Sequence, residues 1–252
     1  MVAEVFRVQT IAKEKSAALS LFPEASCVAL IAAAGSSVRM NRRDKLFLPL
    51  GDKPVLAHTL LTYQGCSAIG AILLSVREDR VADVQKLCDE YEITKLRAIV
   101  VGGQTRADSV KAAVAQLEDG DRYLAIADGD RPLTTAREIE NTLEEAMRYS
   151  AAICAVPVHD TIKQTDAQGL ILTTPDRATL WAAQTPQIFA ADLYRKALKA
   201  LAECGGNFTD DSGMVEASGI PVRVVRGSDE NIKITTPTDL LLAEAIWRER
   251  QL

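Results

Sequence analysis

The sequence predicts an α/β fold: a mainly parallel, Rossmann-like sheet with a protruding β-hairpin arm. Three observations carry this. Apolar runs of strand length recur five times between Val28 and Val158, with helical spacing in the segments between them. Such alternation implies right-handed βαβ crossovers, hence parallel strands with helices on both faces. The loops after three of these runs are polar and rich in small or charged residues. Finally, residues 159–180 break the alternation with two β-prone runs joined by a turn-forming sequence.

The first run, Val28 to Ala33, is uninterrupted and apolar, as a strand buried on both faces requires. It ends in Ala34-Gly35-Ser36-Ser37, small residues that let another group approach the backbone closely. Arg39, Arg42, Arg43 and Lys45 follow, opposed only by Asp44, in a chain whose net charge is −5. Two readings are open for this stretch. It is a phosphate cradle of free N–H groups and cations, or a tight βα turn followed by a solvated basic loop.

Pro54 to Gln64 reads as a helix with proline in its first turn. Ala71 to Val76 is a second strand, and Val81 to Tyr91 has helical spacing. Leu96 to Val101 is a third strand, ending in Gly102-Gly103-Gln104-Thr105-Arg106-Ala107-Asp108-Ser109. Asp108 or Ser109 is expected to cap a helix over Val110 to Leu117. Tyr123 to Ala127 is a fourth strand, closed by Asp128-Gly129-Asp130-Arg131-Pro132 and followed by a helix over Thr135 to Tyr149. Ala152 to Val158 is the fifth.

Thr161 to Thr165 and Leu170 to Thr174, joined by Asp166-Ala167-Gln168-Gly169, predict a hairpin outside the main sheet. A hairpin of that size cannot bury its own faces. It packs on a second subunit as an arm, or against its own domain. The parallel theme is expected to resume with Trp181 to Phe189, followed by a helix from Ala191 to Glu203 broken by Gly205-Gly206. A short helix at Asp210 to Ser218, a strand at Val222 to Arg226, an extended piece at Ile232 to Thr235 and a last helix from near Pro237 complete the chain. No linker divides it, so residues 27–252 read as one domain and residues 1–26 as an N-terminal extension.

Composition limits the function. With 48% hydrophobic and 25% charged residues the chain is ordinary for a globular protein. An acidic balance without a long basic run argues against nucleic acid as partner. No apolar run approaches the eighteen or so residues of a membrane span, and the patch Ala17 to Phe22 is too short for a secretory signal. Cys27, Cys66, Cys88, Cys154 and Cys204 form no CxxC pair, which fits a reducing cytoplasm. His58 and His159, the only histidines, make no zinc pattern.

Ligands of open α/β sheets bind outside the carboxyl ends of the strands. There the loops Ala34 to Lys45, Gly102 to Ser109 and Asp128 to Pro132 are expected to converge. Asp128 and Asp130 suit a hard cation such as Mg²⁺, although a turn or cap aspartate is the plain alternative for Asp128. Lys233 adds a cation from a later loop.

In order, the chain carries A-A-G-S-S-x-R-M, Lys45, G-G-x-x-R-A-D-S, D-x-x-R-P, V-x-D-T-x-K, D-R-x-x-L-W, T-P-Q-x-F, T-D-D and N-I-K-x-T-x-P-x-D-L. This set, spanning residues 27 to 247, resembles the 2-C-methyl-D-erythritol 4-phosphate cytidylyltransferase family. The resemblance implies a nucleotide-diphospho-sugar transferase type of fold and a homodimer with interlocking arms, residues 159–180. It implies a reaction of CTP with methylerythritol phosphate, using Mg²⁺, in non-mevalonate isoprenoid biosynthesis. By motif position, Ala33, Ala34, Gly35, Gly103 and Ser109 would hold CTP. Arg39, Lys45 and Lys233 would surround its α-phosphate as catalytic cations, and Asp128 and Glu230 would stand near the metal. Arg131, Thr161, Arg177 and Thr185 would hold the sugar-alcohol phosphate, some reaching across from the partner's arm.

Four positions depart from the family pattern. Ser37 stands for a second loop glycine, Leu46 for glutamine, Asp130 for a small apolar residue and Glu230 for aspartate. Asp130 either helps to hold Mg²⁺ or faces away as a cap. A cytidylyltransferase for another polyol phosphate, such as ribitol 5-phosphate, is the nearest rival. A dinucleotide-binding oxidoreductase would need G-x-G-x-x-G after the first strand, where the chain has A-A-G-S-S-V-R-M. A non-catalytic protein that keeps the fold is a third reading.

Overall fold

The computed structural model describes residues 5–7, 27–35, 44–103, 106–204 and 208–252. The expected arrangement of residues 36–43, with Ser37, Arg39, Arg42 and Arg43, and of most of residues 1–26 lies outside the described residues.

The first elements are β1 (Val5–Arg7), β2 (Cys27–Ala33), the short pair β3 (Pro49–Leu50) and β4 (Lys53–Pro54), and α1 (Val55–Gly65). Then come β5 (Ile69–Val76), α2 (Val81–Glu90), β6 (Leu96–Val101), α3 (Arg106–Val114), β7 (Tyr123–Asp128), α4 (Ala136–Tyr149) and β8 (Ala151–Pro157). The hairpin is β9 (Gln164–Thr165) and β10 (Ile171–Thr173). The chain closes with β11 (Trp181–Ala190), α5 (Ala191–Cys204), α6 (Asp211–Ala217), β12 (Arg223–Arg226) and α7 (Pro237–Glu249).

One eight-stranded sheet has the order β1-β6-β5-β2-β7-β11-β8-β12. Strands β6, β5, β2 and β7 are mutually parallel, and β12 is parallel to β8. The alternation of β2 explains why a continuous apolar run was needed. Ala29, Ile31 and Ala33 point to a layer built with α1, α2 and α4, while Val28 and Leu30 point to one built with α3, α5 and α6. Burying each such branched side chain stabilises the fold by about 1.5–3 kcal/mol.

Two expectations are corrected. Strand β11 is antiparallel to both β7 and β8 rather than part of the parallel set. The hairpin leaves from the carboxyl end of β8, so the returning chain enters the sheet at that end and must run the other way. Residues 232–235, expected as an extended piece, join no sheet; Ile234 and Ile232 pack with Leu50, Val55, Leu133 and Ala243 in a third cluster beneath α7. The helix expected from Val110 begins at Arg106, which puts Asp108 and Ser109 in its first turns, where a carboxylate favours the helix dipole. Strand β1, not foreseen from the sequence, pairs antiparallel with β6, Phe6 opposite Ile99.

The hairpin forms its own two-stranded sheet apart from the main one. Its Leu170, Ile171 and Leu172 are 68%, 56% and 60% exposed, so the described residues leave most of this apolar surface uncovered.

Candidate active site

Three loops meet at the carboxyl ends of the parallel strands, where β2 and β7 lie side by side and the strand order changes direction. The contact between the first two runs through Gly102. A Cβ there would stand 2.7 Å from the Ala34 Cβ and 2.9 Å from the Ser109 Oγ, so only glycine lets the loops close up. The third loop is drawn in by Gly129, whose N–H donates to the Ala32 carbonyl at 2.9 Å and whose carbonyl accepts from Thr59 Oγ1 at 3.1 Å.

Lys45 opens a 3-10 turn, Lys45–Phe47, capped by the Asp44 carboxylate, which accepts from the Leu46 N–H at 3.3 Å. Asp44 is held from below by Arg77 (3.4 Å) and Arg80 (3.1 Å). Leu46 is buried in the core, which fixes the turn. From this anchor Lys45 Nζ pairs with the carboxylate of Asp130.

Asp128 ends β7. Its N–H donates to Thr185 Oγ1 at 3.0 Å, and its Oδ2 accepts from Arg131 Nε at 3.2 Å and from Lys233 Nζ at 3.0 Å. Asp128, Asp130 and Arg131 are all more than nine-tenths buried. Ion pairs in such surroundings are far less screened than on the surface. Asp130 keeps one oxygen, Oδ1, buried and without a hydrogen-bond partner among the described residues.

A fully buried amide that the sequence did not single out ties these pieces together. Asn231 donates through Nδ2 to the Thr185 carbonyl (3.0 Å) and accepts from Thr134 Oγ1 (3.0 Å). Its carbonyl accepts from Arg131 Nη1 at 2.6 Å. Gln184 donates to the carbonyls of Ser228 (2.9 Å) and Asn231 (3.3 Å). Glu138, whose Oε2 closes the capping box of α4, accepts from the Ser228 N–H on Oε1 at 3.1 Å. The loop carrying Lys233 is thus bonded to β11 and α4. Asn231 lies inside the N-I-K motif, but residue type alone does not announce burial; only its place beside apolar Ile232 and Ile234 hinted at it.

Of the residues expected at the site, the structure brings Lys45, Asp128, Arg131, Thr185 and Lys233 together, with Ala33, Ala34 and Ser109 on the adjoining loops. Gly103 lies against Asp108, where a Cβ would collide. Among the described residues nothing comes within 4 Å of where a Gly35 Cβ would stand, and the Gly35 carbonyl accepts from Arg77 at 3.4 Å. Thr161 and Arg177 stand on the exposed arm, Arg177 donating to the His159 carbonyl at 2.6 Å. The Glu230 carboxylate is engaged by Arg250 at 2.7 Å, at the surface.

Among the described residues one thiol touches this network, Cys154, whose Sγ donates to Gln184 Oε1 at 3.6 Å, and the imidazoles lie outside it. Burial pushes the Cys154 thiol, near Gln184, up to about 12, and the Glu138 carboxylate adds to the effect. His58 bonds the Leu50 carbonyl and His159 the Asp229 carboxylate. What the crevice offers is fixed cations, two carboxylates and backbone donors. That equipment handles phosphate groups by charge and position rather than by covalent catalysis.

Comparison with known proteins agrees with this chemistry. The family model described as 2-C-methyl-D-erythritol 4-phosphate cytidylyltransferase matches residues 27–249. The enzyme of that name from Desulforamulus reducens is 42% identical over 225 residues, covering 88% of this chain and 96% of the relative. That from Syntrophus aciditrophicus is 41% identical over 226 residues, covering 89% and 97%. Among solved structures, 4-diphosphocytidyl-2C-methyl-D-erythritol synthase from Anaerococcus prevotii superposes with a TM-score of 0.80 at 29% identity, covering 89% of this chain and 99% of that one. The corresponding enzyme from Thermus thermophilus gives 0.72 at 27%, covering 88% and 99%. A buried crevice of cations at the end of a parallel sheet, on a chain that matches over nearly its whole length, establishes that this protein belongs to the 2-C-methyl-D-erythritol 4-phosphate cytidylyltransferase family.

Proposed function

We propose that the family reaction takes place in this crevice, with Lys45, Arg131 and Lys233 as its positive groups and Mg²⁺ as cofactor. The chain is a CTP-dependent cytidylyltransferase that joins CTP and 2-C-methyl-D-erythritol 4-phosphate, giving 4-diphosphocytidyl-2-C-methyl-D-erythritol and pyrophosphate in isoprenoid biosynthesis. The observation that carries the assignment of residues is the convergence of three cations on two buried carboxylates at the β2 and β7 strand ends.

The reaction brings a phosphate monoester up to the α-phosphate of CTP, so two anions must meet. Fixed cations lower that barrier, and further charge gathers on the equatorial oxygens of the transition state. Arg39 and Lys45 on the first loop and Lys233 on the last would contact the α-phosphate. Ala33, Ala34, Gly35, Gly103 and Ser109 would seat the nucleotide. Arg131, Thr185 and, from the arm of a second copy, Thr161 and Arg177 would bind the acceptor phosphate. With Lys233 and Arg131 both bonded to Asp128, the cations are oriented before substrate arrives, which lowers the reorganisation left to the reaction.

The donor set fits Mg²⁺. That ion is usually bound by one or two carboxylates together with substrate phosphates. Asp128 and the orphaned Oδ1 of Asp130 are hard oxygen donors at the strand end, and the described residues contain no cluster that would hold a metal without substrate. Asp128 would hold the ion, and Glu230 would join only by leaving Arg250. When bound, Mg²⁺ would neutralise triphosphate charge and help pyrophosphate depart.

The exposed apolar arm supports a homodimer, and the composition supports a cytoplasmic enzyme. Pyrophosphate release from CTP, Mg²⁺ and methylerythritol phosphate tests the assignment, with ribitol 5-phosphate as rival acceptor and ATP and UTP as rival donors. Release with methylerythritol phosphate and CTP is expected. Faster release with ribitol 5-phosphate would overturn the acceptor.

A further inference from the structure

Asp130 is an acid placed among groups that serve to attract anions. Its side chain is 8% exposed, one oxygen pairs with Lys45, and the other is buried without a partner among the described residues. A buried carboxylate oxygen left unbonded is costly, and native structures rarely keep one without a role. The Asp130 carbonyl accepts from the Ile234 N–H at 2.9 Å, next to Lys233, so the residue is held from both sides of the crevice. Two of its neighbours, Asp128 and Arg131, form the ion pair at the end of β7.

This arrangement has opposite consequences for a bare triphosphate and for its metal complex. Asp130 occupies Lys45, one of the cations a triphosphate needs, and adds a negative charge where the phosphates would lie. A divalent cation brought in with the nucleotide reverses the sign: Oδ1 then has a ligand to meet, either the ion or one of its waters, while Oδ2 keeps Lys45 in place. We propose that Asp130 couples nucleotide binding to the divalent cation, so that this chain accepts the metal–nucleoside triphosphate complex and rejects the free nucleotide. This inference rests on the functional reading above and adds to it a selectivity that Asp128 alone would not supply.

The test is CTP affinity measured by calorimetry on the full chain, with Mg²⁺ and with a chelator, for the wild type and for Asp130→Asn. The amide keeps the shape and removes the charge. A unit charge a few ångströms from the phosphates, at an effective dielectric constant of about 20, corresponds to at least about a tenfold change in binding. The ratio of chelator to Mg²⁺ dissociation constants is therefore expected to fall at least about tenfold in the variant, mostly through tighter binding of metal-free CTP. Asp130→Ala, with circular dichroism to confirm its fold, should move the ratio the same way. An unchanged ratio in both folded variants, beside a wild type that binds CTP and turns over, overturns the role of Asp130 and leaves the function standing. A wild type that binds CTP in neither condition overturns both.

Discussion

Lys233 Nζ lies 3.0 Å from Asp128 Oδ2, two residues 105 positions apart in the chain. Arg131 approaches the same oxygen from three residues away. A late surface loop and the end of a central strand thus share one carboxylate, and both cations are aimed before any phosphate arrives. Replacing Lys233 with Met in the folded protein removes one of them. By analogy with the loss of one oxyanion donor, turnover should fall about 100-fold or more. Steady-state pyrophosphate release checks this; Lys45→Met should behave alike.

Asn231→Ala probes the frame that holds those cations. The substitution takes the Asn231 donor from the buried Thr185 carbonyl, while the Thr134 hydroxyl keeps its bond to the Arg131 carbonyl at 3.1 Å. An unsatisfied buried carbonyl costs about 1–3 kcal/mol, which for a chain of this length lowers the melting temperature by roughly 2–12 °C. Turnover should fall by about tenfold or more because Arg131 and Lys233 lose their fixed positions. A variant that melts and turns over like the wild type would remove Asn231 from this role.

Thiol titration gives a pH dependence with a definite sign. Burial raises the thiols of Cys27, Cys88 and Cys154 above their ordinary value near 9, the last two to about 12. The unfolded chain gives up these protons near pH 9 while the fold keeps them. Their contribution is whole below pH 9 and is lost as the pH climbs toward 12, at about 1.4 kcal/mol per pH unit for each thiol. Urea midpoints at pH 8 and pH 10 should show the decline. At pH 8, Cys27, Cys88 and Cys154 should react with a disulfide reagent only on unfolding.

The proposed dimer rests on Leu170, Ile171 and Leu172, which the described residues leave mostly exposed. Ile171→Asp places a charge in that apolar strip. In sedimentation equilibrium the wild type should run as a dimer and the variant as a monomer. Turnover should fall with dissociation, because Thr161 and Arg177 would no longer reach a second crevice. A dimeric, fully active variant would show that the arm packs elsewhere.

Much of this protein was legible in its residues. Apolar runs such as Val28 to Ala33 are long enough only for strands buried on both faces, and the helical spacing between them forces parallel order; periodicity is local, so it survives in one dimension. Polar loops at the strand ends, with Lys45, Asp128 and Arg131 in them, followed from the same logic.

What the tertiary structure alone decided is pairing across long separations. The reversal of β11 depends on where the arm leaves β8, and the addition of β1 to β6 depends on a free sheet edge. The burial of Asn231, the turn of Glu230 toward Arg250, and the pairing of Asp130 with Lys45 are likewise distances between segments far apart in sequence. Residue type states which charges are present. Only the folded chain states which of them meet, because the strength of an ion pair depends on separation and burial, and neither is a property of one position.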